Sequence, residues 1–287
     1  MSITERLANL SIPVVLMTIV VLLVLRYVLL RQKTPVTKSI AEIAESLAVA
    51  LGLVFLIIRP FIVQAFFIPS GSMIPTLLER DHILVNKFLY RFTEPKLGDV
   101  VVFVAPPEAS GDEDKDFVKR VIGEPGDLVK VTPGSVTVGN DGYSHQQLRD
   151  MLGVPGKDTR IKLVKNAVFV GGVPVKKEEI AAAAGAPNAE VLVLPGAVYI
   201  NGKPIKEQYT AEDPDRSYPD SNTPRKWVVV DKDDHLAVKI PKGRLLMMGD
   251  NRNDSNDSRM WGLLERSRVR GKAMFIFWPL NRIRWLR

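Results

Sequence analysis

The chain has no cysteine in its 287 residues and only three histidines. Without cysteine there is no disulfide, no thiolate nucleophile and no Cys-ligated metal. The compartment stays open, because an exported domain can fold without disulfides. His82, His145 and His235 stand apart, with no partner at metal-ligand spacing. Each reads as a surface or hydrogen-bonded structural residue, so neither a Ser-His-Asp triad nor a metal site has support. No Gly-rich loop opens a helix, which removes a phosphate cradle, and nothing in the sequence asks for a cofactor. The net charge of +7 is spread along the chain, and no basic block alternates with aromatics. A nucleic-acid partner is therefore not expected.

What is present begins with apolar length. With 46% hydrophobic and 25% charged residues the chain can bury a real core in one or two domains. Ile12 to Leu30 is interrupted only by Arg26. At about 1.5 Å per residue it reaches about 28 Å, enough to cross a hydrocarbon layer. Arg26 lies near one end, where a long side chain snorkels to the interface. A cleaved signal peptide is disfavoured, because R-Q-K follows where a small-x-small site belongs. A second apolar stretch, Leu47 to Val63, meets Arg59 and Pro60 near its end and reads as a second span extended by S-I-A-E-I-A-E-S. Alone it also fits a buried core helix. Arg31, Lys33 and Lys38 lie between the stretches with no acid among them. Positive residues stay cytoplasmic, so the short loop is expected inside, with the N-terminus and everything after Val63 outside.

Beyond Ile68 the pattern is short strands and turns. H-I-L-V-N-K-F (82–88), D-V-V-V-F-V (99–104), F-V-K-R-V-I (117–122) and A-M-F-I-F-W (273–278) are strand-like. V-F-V-G-G-V-P-V (168–175) and V-Y-I-N-G-K-P-I (198–205) each place a Gly-Gly or Asn-Gly turn between β-branched runs, a strong hairpin signal. Residues 178–186 read as a short helix or a loose excursion. The expected fold class is mainly β: an antiparallel domain tethered by two N-terminal transmembrane helices.

Ser70-Gly71-Ser72 sits between two prolines directly after the apolar run. One reading is a turn closed by hydroxyl-to-backbone bonds. The other is a nucleophile, which needs a base, and where no histidine serves an amine can. That amine must be neutral near pH 7–8 against an ordinary pKa of about 10.4. If residues 117–122 form a strand, Lys119 shares a face with Phe117 and Val121. An exposed lysine on a strand would read the same way.

The segment M-G-D-N-R-N-D-S-N-D-S-R-M-W-G (248–262) weighs between these readings. Together with P-S-G-S-M-I-P-T-L (69–77), L-G-D-V-V-V-F (97–103) and V-K-R-V-I-G-E-P-G-D (118–127), it closely resembles the type I signal peptidases, bacterial membrane-bound leader peptidases. The motifs occur in order and cover the anchor and core, with weak likeness across 128–242. The resemblance implies Ser72 as nucleophile and Lys119 as general base. It implies Ser70 as an oxyanion-hole hydroxyl beside the Ser72 N–H, and Ser255 as the residue orienting the lysine. Asp257 and Arg259 match a structural pair near the site. Met73 matches a supporting position, and Ile68, Pro69, Leu77, Phe117 and Val118 match the lining of shallow substrate pockets. Phe67 and Asp116 would flank the added substrate strand. Asn253-Asp254 departs from the family's more usual Asp-Asn and bears on local loop hydrogen bonds.

The organisation expected from this is an outer N-terminus at 1–11, spans at 12–30 and 40–64 joined by a cytoplasmic loop at 31–39, a catalytic β core at 65–128 and 243–287, and a β-rich insertion at 129–242. The expected partners are preprotein signal peptides and the lipid bilayer, with the secretion translocon open as a third. The implied setting is the bacterial cytoplasmic membrane, with the catalytic domain on the periplasmic side. The basic, aromatic tail W-P-L-N-R-I-R-W-L-R (278–287) reads equally as a lipid contact or as an ordinary surface tail. Two rivals stand beside the resemblance. A self-cleaving Ser-Lys peptidase of the SOS-repressor type is opposed by the two spans and the Gly249–Arg259 box. A silent membrane scaffold is opposed by the presence of Ser72 and Lys119.

Overall fold

In a computed structural model of the chain, residues 12–32, 34–58, 63–111, 113–155 and 159–286 are described. The expected outer N-terminus at 1–11, Lys33 and the Arg59-Pro60 step lie outside them.

Helices α1 (Ile12–Leu30) and α2 (Pro35–Gly52) run back along one another, and α2 continues as a π-helical stretch over Leu53–Ile58. Mean hydropathy is 2.6 over Pro13–Leu30 and 1.9 over Pro35–Leu56, and both are long and apolar enough to cross a membrane. Ala41, Ala44 and Ala48 are the buried residues of α2, and their small side chains let α1 approach closely. Arg26 does more than snorkel: its Nε pairs with Glu45 of α2 at 3.0 Å. The start of α2 precedes the expected residue 40 for a local reason. Thr34 accepts the Thr37 N–H and the Thr37 hydroxyl accepts the Thr34 N–H, a capping box with Pro35 in the first turn. At the other end, Val63 and Gln64 belong to a strand and not to the expected span.

The outer region is a run of antiparallel strands. The chain lays down β1 (Val63–Phe67), β2 (His82–Asn86), β3 (Val100–Val104) and β4 (Asp116–Gly123). It then leaves on an excursion of eleven strands: β5 (Leu128–Thr132), β6 (Ser135–Val138), β7 (Asp141–Tyr143), β8 (Ile161–Val164), β9 (Ala167–Val170), β10 (Val173–Val175), β11 (Val191–Leu194), β12 (Ala197–Ile200), β13 (Lys203–Pro204), β14 (Val228–Val230) and β15 (Leu236–Lys239). It returns as β16 (Arg244–Met248), β17 (Leu264–Glu265), β18 (Val269–Trp278) and β19 (Arg284–Trp285). The main sheet has the order β1-β2-β18-β3-β4-β16-β17, with β19 against β18. The first four strands and the last four therefore complete one sheet, and the excursion is an insertion into it.

Strand β3 explains its own sequence. Val100 and Val102 pack into one cluster with Ile83, Val85 and Ile276, while Val101 and Phe103 pack into another with Val121, Met247 and Trp261. Both faces are covered, so the strand reads V-V-V-F-V where one wet face would force alternation.

The insertion forms a five-stranded sheet, β13-β12-β5-β15-β14, and two three-stranded ones, β10-β9-β8 and β11-β6-β7. Helices α3 (His145–Met151) and α4 (Lys177–Ala183) cover the latter pair through Leu148 and Ile180. The two hairpin signals are realised as the β9–β10 and β12–β13 pairs. Asn201 and Gly202 both take positive φ there, 52° and 79°, as a type I′ turn demands. The five-stranded sheet is not separated from the main one. Its Val129, Val131 and Val198 share a cluster with Ile122, Leu246 and Met248 of β4 and β16.

Phe103 is fully buried between Phe117 and Trp261 at ring distances of 6.3 and 5.9 Å. Phe103→Ala is expected to cost about 3–5 kcal/mol, lowering the calorimetric midpoint of the detergent-solubilised chain by roughly 10 °C. A shift under about 2 °C would contradict the two-faced packing of β3.

Candidate active site

Ser72 sits in a single 3-10 turn, Gly71–Met73, that follows β1 after Ile68 and Pro69. Lys119 lies in β4, and the two meet side chain to side chain, Nζ to Oγ at 2.7 Å. Lys119 is 4% exposed, with its Nζ 5.4 Å from the Phe117 ring centre on the same side of the strand. Burial pushes its pKa down to about 8, helped by Arg259 and opposed by Asp257 and Asp250. A buried amine poised near neutrality beside a hydroxyl is a base touching a nucleophile.

The dyad opens on a cavity of about 560 Å³. Its lining comes from three segments: Phe67, Ile68, Pro69, Ser70 and Met73 around the turn, Asp116, Phe117 and Val118 of β4, and Asp254 and Asn256 of the later loop. Asp116 is held at the rim by Arg270, 3.4 Å away. Strand β16 pairs with β4 only at Arg120, Val121 and Gly123, while β3 pairs with it from Asp116 to Arg120. Among the described residues, Asp116–Val118 therefore carries a strand on one side only. An extended peptide could add along the free side.

The order of the motifs is shared with known proteins. The family described as signal peptidase, peptidase S26, matches residues 40–183 and 180–278. A signal peptidase I of Aquifex aeolicus is 32% identical over 246 residues, covering 83% of this chain and 83% of that protein. One of Leptolyngbya laminosa is 29% identical over 254 residues, covering 87% and 83%. A probable signal peptidase I-1 of Synechocystis is 30% identical over 258 residues, covering 88% and 90%. The chain belongs to the signal peptidase S26 family.

Within this signal peptidase fold, the sites the sequence suggested divide into three groups. Ser72, Lys119, Ser70, Phe67, Ile68, Pro69, Met73, Asp116, Phe117 and Val118 are brought together around the cavity. Ser70 is exposed, in extended backbone (φ −137°, ψ 158°), and its hydroxyl does not cap the turn. Leu77 does not line the cavity: it is 0% exposed, in the core beneath the turn with Ile68, Met73 and Ile83. An apolar side chain with no polar edge is worth more sealed there than at a wet wall. Ser255 does not touch Lys119. Its Oγ is buried beside Gly249 and close enough to Asp257 to help hold that carboxylate down, and Ser72 is the hydrogen-bond partner that Lys119 Nζ has among the described residues.

Asp257 and Arg259 form a buried pair, with Arg259 Nε 2.9 Å and Nη2 2.9 Å from the two carboxylate oxygens. Burial alone would raise the Asp257 pKa, but Arg259 and the Gly249 N–H hold it below the usual carboxylate range. The pair fixes the box that holds Ser72. Asn251 donates its N–H to the Ser72 carbonyl (3.1 Å) and its side-chain amide to the Gly71 carbonyl (3.1 Å). The Ser72 turn is thus clamped from behind by the Gly249–Arg259 box.

The sequence reading did not single out the second layer. Arg120, next to the lysine, points the other way and makes a bidentate pair with Asp250 (2.8 and 2.7 Å). The Tyr209 ring lies 3.9 Å from the Arg120 guanidinium and 5.9 Å from that of Arg252. Arg252 in turn grips Glu207 with both terminal nitrogens and donates Nε to the Gly249 carbonyl (3.0 Å). Asn253 accepts the Asp215 N–H (3.0 Å) and donates to the Asp213 carbonyl (3.1 Å). The Asn253-Asp254 departure thus has a local consequence: Asn253 offers a donor and an acceptor together to the 212–215 segment, where a carboxylate could only accept. Strand alternation predicts that Arg120 faces away from Lys119. Its partners 130 residues later in the chain had no local signal.

The histidines are elsewhere. His82 stacks edge-on with Phe67 and Phe277, His145 pairs with Asp213 at 3.1 Å inside the insertion, and His235 is exposed near Asp231.

A Cβ on Gly249 would lie 2.3 Å from Ser255 Oγ and 2.4 Å from the Ser72 carbonyl oxygen. Gly249→Ala is expected to displace the Ser72 turn and lower cleavage of a preprotein by about 10²-fold or more, with circular dichroism unchanged. Cleavage within about twofold of wild type would show that the close approach of box and turn is dispensable.

Proposed function

We propose that this protein is a membrane-anchored endopeptidase that removes signal peptides from exported preproteins by acyl transfer through Ser72. The observation that carries the reading is the 2.7 Å contact between Ser72 Oγ and a lysine amine that burial brings to a pKa of about 8. Neutral Lys119 takes the Ser72 proton as Oγ bonds to the scissile carbonyl carbon. The carbonyl electrons move to oxygen, where the exposed Ser70 hydroxyl and the Ser72 N–H would stabilise the charge. One such donor is worth about 3–4 kcal/mol. Collapse breaks the C–N bond, and the Lys119 ammonium gives its proton to the leaving amine. Water then attacks the ester, with Lys119 again accepting the proton and returning it to Ser72 Oγ. Arg120–Asp250 and Asp257–Arg259 remain charged throughout and hold the frame.

The substrate adds as a strand along Asp116–Val118, facing Phe67–Pro69. Alternate side chains then fall toward Ile68, Met73, Phe117 and Val118, an apolar and shallow lining that favours small residues at the first and third positions before the cut. Helices α1 and α2 anchor the site. Ser72 lies fourteen residues beyond Ile58, where the described helical stretch ends, at most about 50 Å away, which keeps the site within reach of the outer face of the bilayer. Arg31 and Lys38 hold the helix connection on the cytoplasmic side.

Ser72→Ala and Lys119→Ala are each expected to lower preprotein cleavage by about 10⁴-fold or more. Lys119→Arg should be as inactive, because a guanidinium stays protonated. Full cleavage by any of the three would overturn the dyad. Since the lysine must be neutral, kcat/KM should rise about tenfold per pH unit below pH 8 and level off above it. A flat profile from pH 6 to 9 would contradict a lysine base.

A further inference from the structure

A second cleft opens where the insertion meets the catalytic turn. It has a volume of about 650 Å³ and is lined by Pro75, Arg160, Lys162, Phe169, Ala211 and the Gly171-Gly172 turn, together with Val164. Pro75 follows Ser72 by three residues, so this wall is within about 10 Å of the nucleophile. The opposite wall is tied to the site as well. Ala211 lies between Thr210, whose carbonyl is 3.4 Å from Lys162 Nζ, and Glu212, whose carboxylate is 3.3 Å from the Asn253 amide. The cleft therefore begins where both flanks of the dyad, the Ser72 turn and the 249–259 box, reach the insertion.

Among the described residues that line it, the charged side chains are both cationic. Arg160 and Lys162 are half-buried on β8 and the residues just before it. The neighbouring carboxylate, Glu212, accepts the Ile161 N–H (2.9 Å) and an Asn253 amide hydrogen and lies close enough to Arg160 to feel its charge, without a direct ion pair to it. Lys162 has one weak carbonyl contact and further donors to offer. Phe169, opposite Lys162 in the β8–β9 pair, adds an apolar lining, and the glycine turn presents bare backbone.

We propose that this cleft receives the mature side of the substrate, the residues just beyond the cut, and that it selects acidic side chains there. The proposal rests on the Ser72 reading above: the strand before the cut occupies the wall at 67–69 and 116–118, so the chain after it leaves past Ser72. In extended form it reaches the cleft after about three residues. Arg160 and Lys162 would then meet carboxylates at about the second to fourth positions after the cut, and the insertion becomes part of substrate choice.

The test uses the full chain in detergent and three preproteins that share one signal peptide and cleavage site. They differ only at the second to fourth residues after the cut, which are acidic, neutral or basic. The readout is the kcat/KM ratio of acidic to neutral substrate within each enzyme, so that a general loss of activity cancels. In wild type the ratio should be about threefold to tenfold and fall toward one in about 0.5 M salt. In Arg160→Glu/Lys162→Glu it should drop below one, and the basic substrate should become the best. If the reversed pair cuts nothing, Arg160→Gln/Lys162→Gln serves, with a ratio near one expected. A wild-type ratio of one, or the same ratio in wild type and variant, overturns the subsite and leaves the protease reading standing. Failure of wild type to cut the neutral substrate strikes the protease reading itself, and the subsite with it.

Discussion

Everything in the site depends on keeping one amine out of water. Lys119 can take a proton from Ser72 only if it is neutral, and an amine in water is neutral only well above physiological pH. Burial supplies the shift, and it carries a stability cost. Below pH 8 the folded chain must either hold a charged amine in a dry place or give up its proton. The lysine is an ammonium in the unfolded chain until about pH 10.5. The folded state binds fewer protons between those values, so the penalty this group imposes on folding is full below about pH 8 and is relieved as pH rises to about 10.5. A mutation that restored an ordinary lysine would stabilise the protein and disarm it.

The surrounding charges are arranged to preserve that balance. Two buried carboxylates, Asp250 and Asp257, pull the lysine pKa upward. Each is committed to an arginine, Arg120 and Arg259 respectively, so neither stands free to take the ammonium as an ion-pair partner. Tyr209 and Glu207 extend this frame out of the insertion, gripping Arg252 behind Gly249. A buried pair of this kind is weak evidence for stability but strong evidence for fixed geometry, since removing one partner strands the other. The insertion thus braces the Gly249–Arg259 box, as well as lining a cleft beside it.

Much of this was legible in the sequence wherever the cause was local. The hairpins at 171–172 and 201–202, the run V-V-V-F-V and the two apolar helices all follow from patterns within ten to twenty residues. Ser72 and Lys119 were found because their motifs match a known family; strand alternation alone left Lys119 equally readable as an exposed residue. What was misjudged is long-range. Leu77 carries no mark to separate a pocket wall from the core under it. Ser255 is buried against Gly249, a contact no local pattern marks. Val63 and Gln64 read as a membrane segment until β2 is there to pair with them. Helix α3 was missed because its capping box, Ser144 with Gln147, sits in a polar stretch with little apolar period. Arg120, Glu207, Tyr209 and Arg252 become a unit only in three dimensions.

The central claim is that burial lowers the Lys119 pKa to about 8, so that a working fraction of the amine is neutral near physiological pH, and it can be tested without reference to any substrate. Lysines labelled with ¹³C at the ε carbon report their own protonation through chemical shift. The Lys119 signal is identified by its absence in Lys119→Met. In the folded, detergent-solubilised chain it should titrate with a midpoint near 8, and in the urea-unfolded chain near 10.4. A folded-state midpoint above 10 would show that the amine is an ordinary ammonium, and the account of this site would fail.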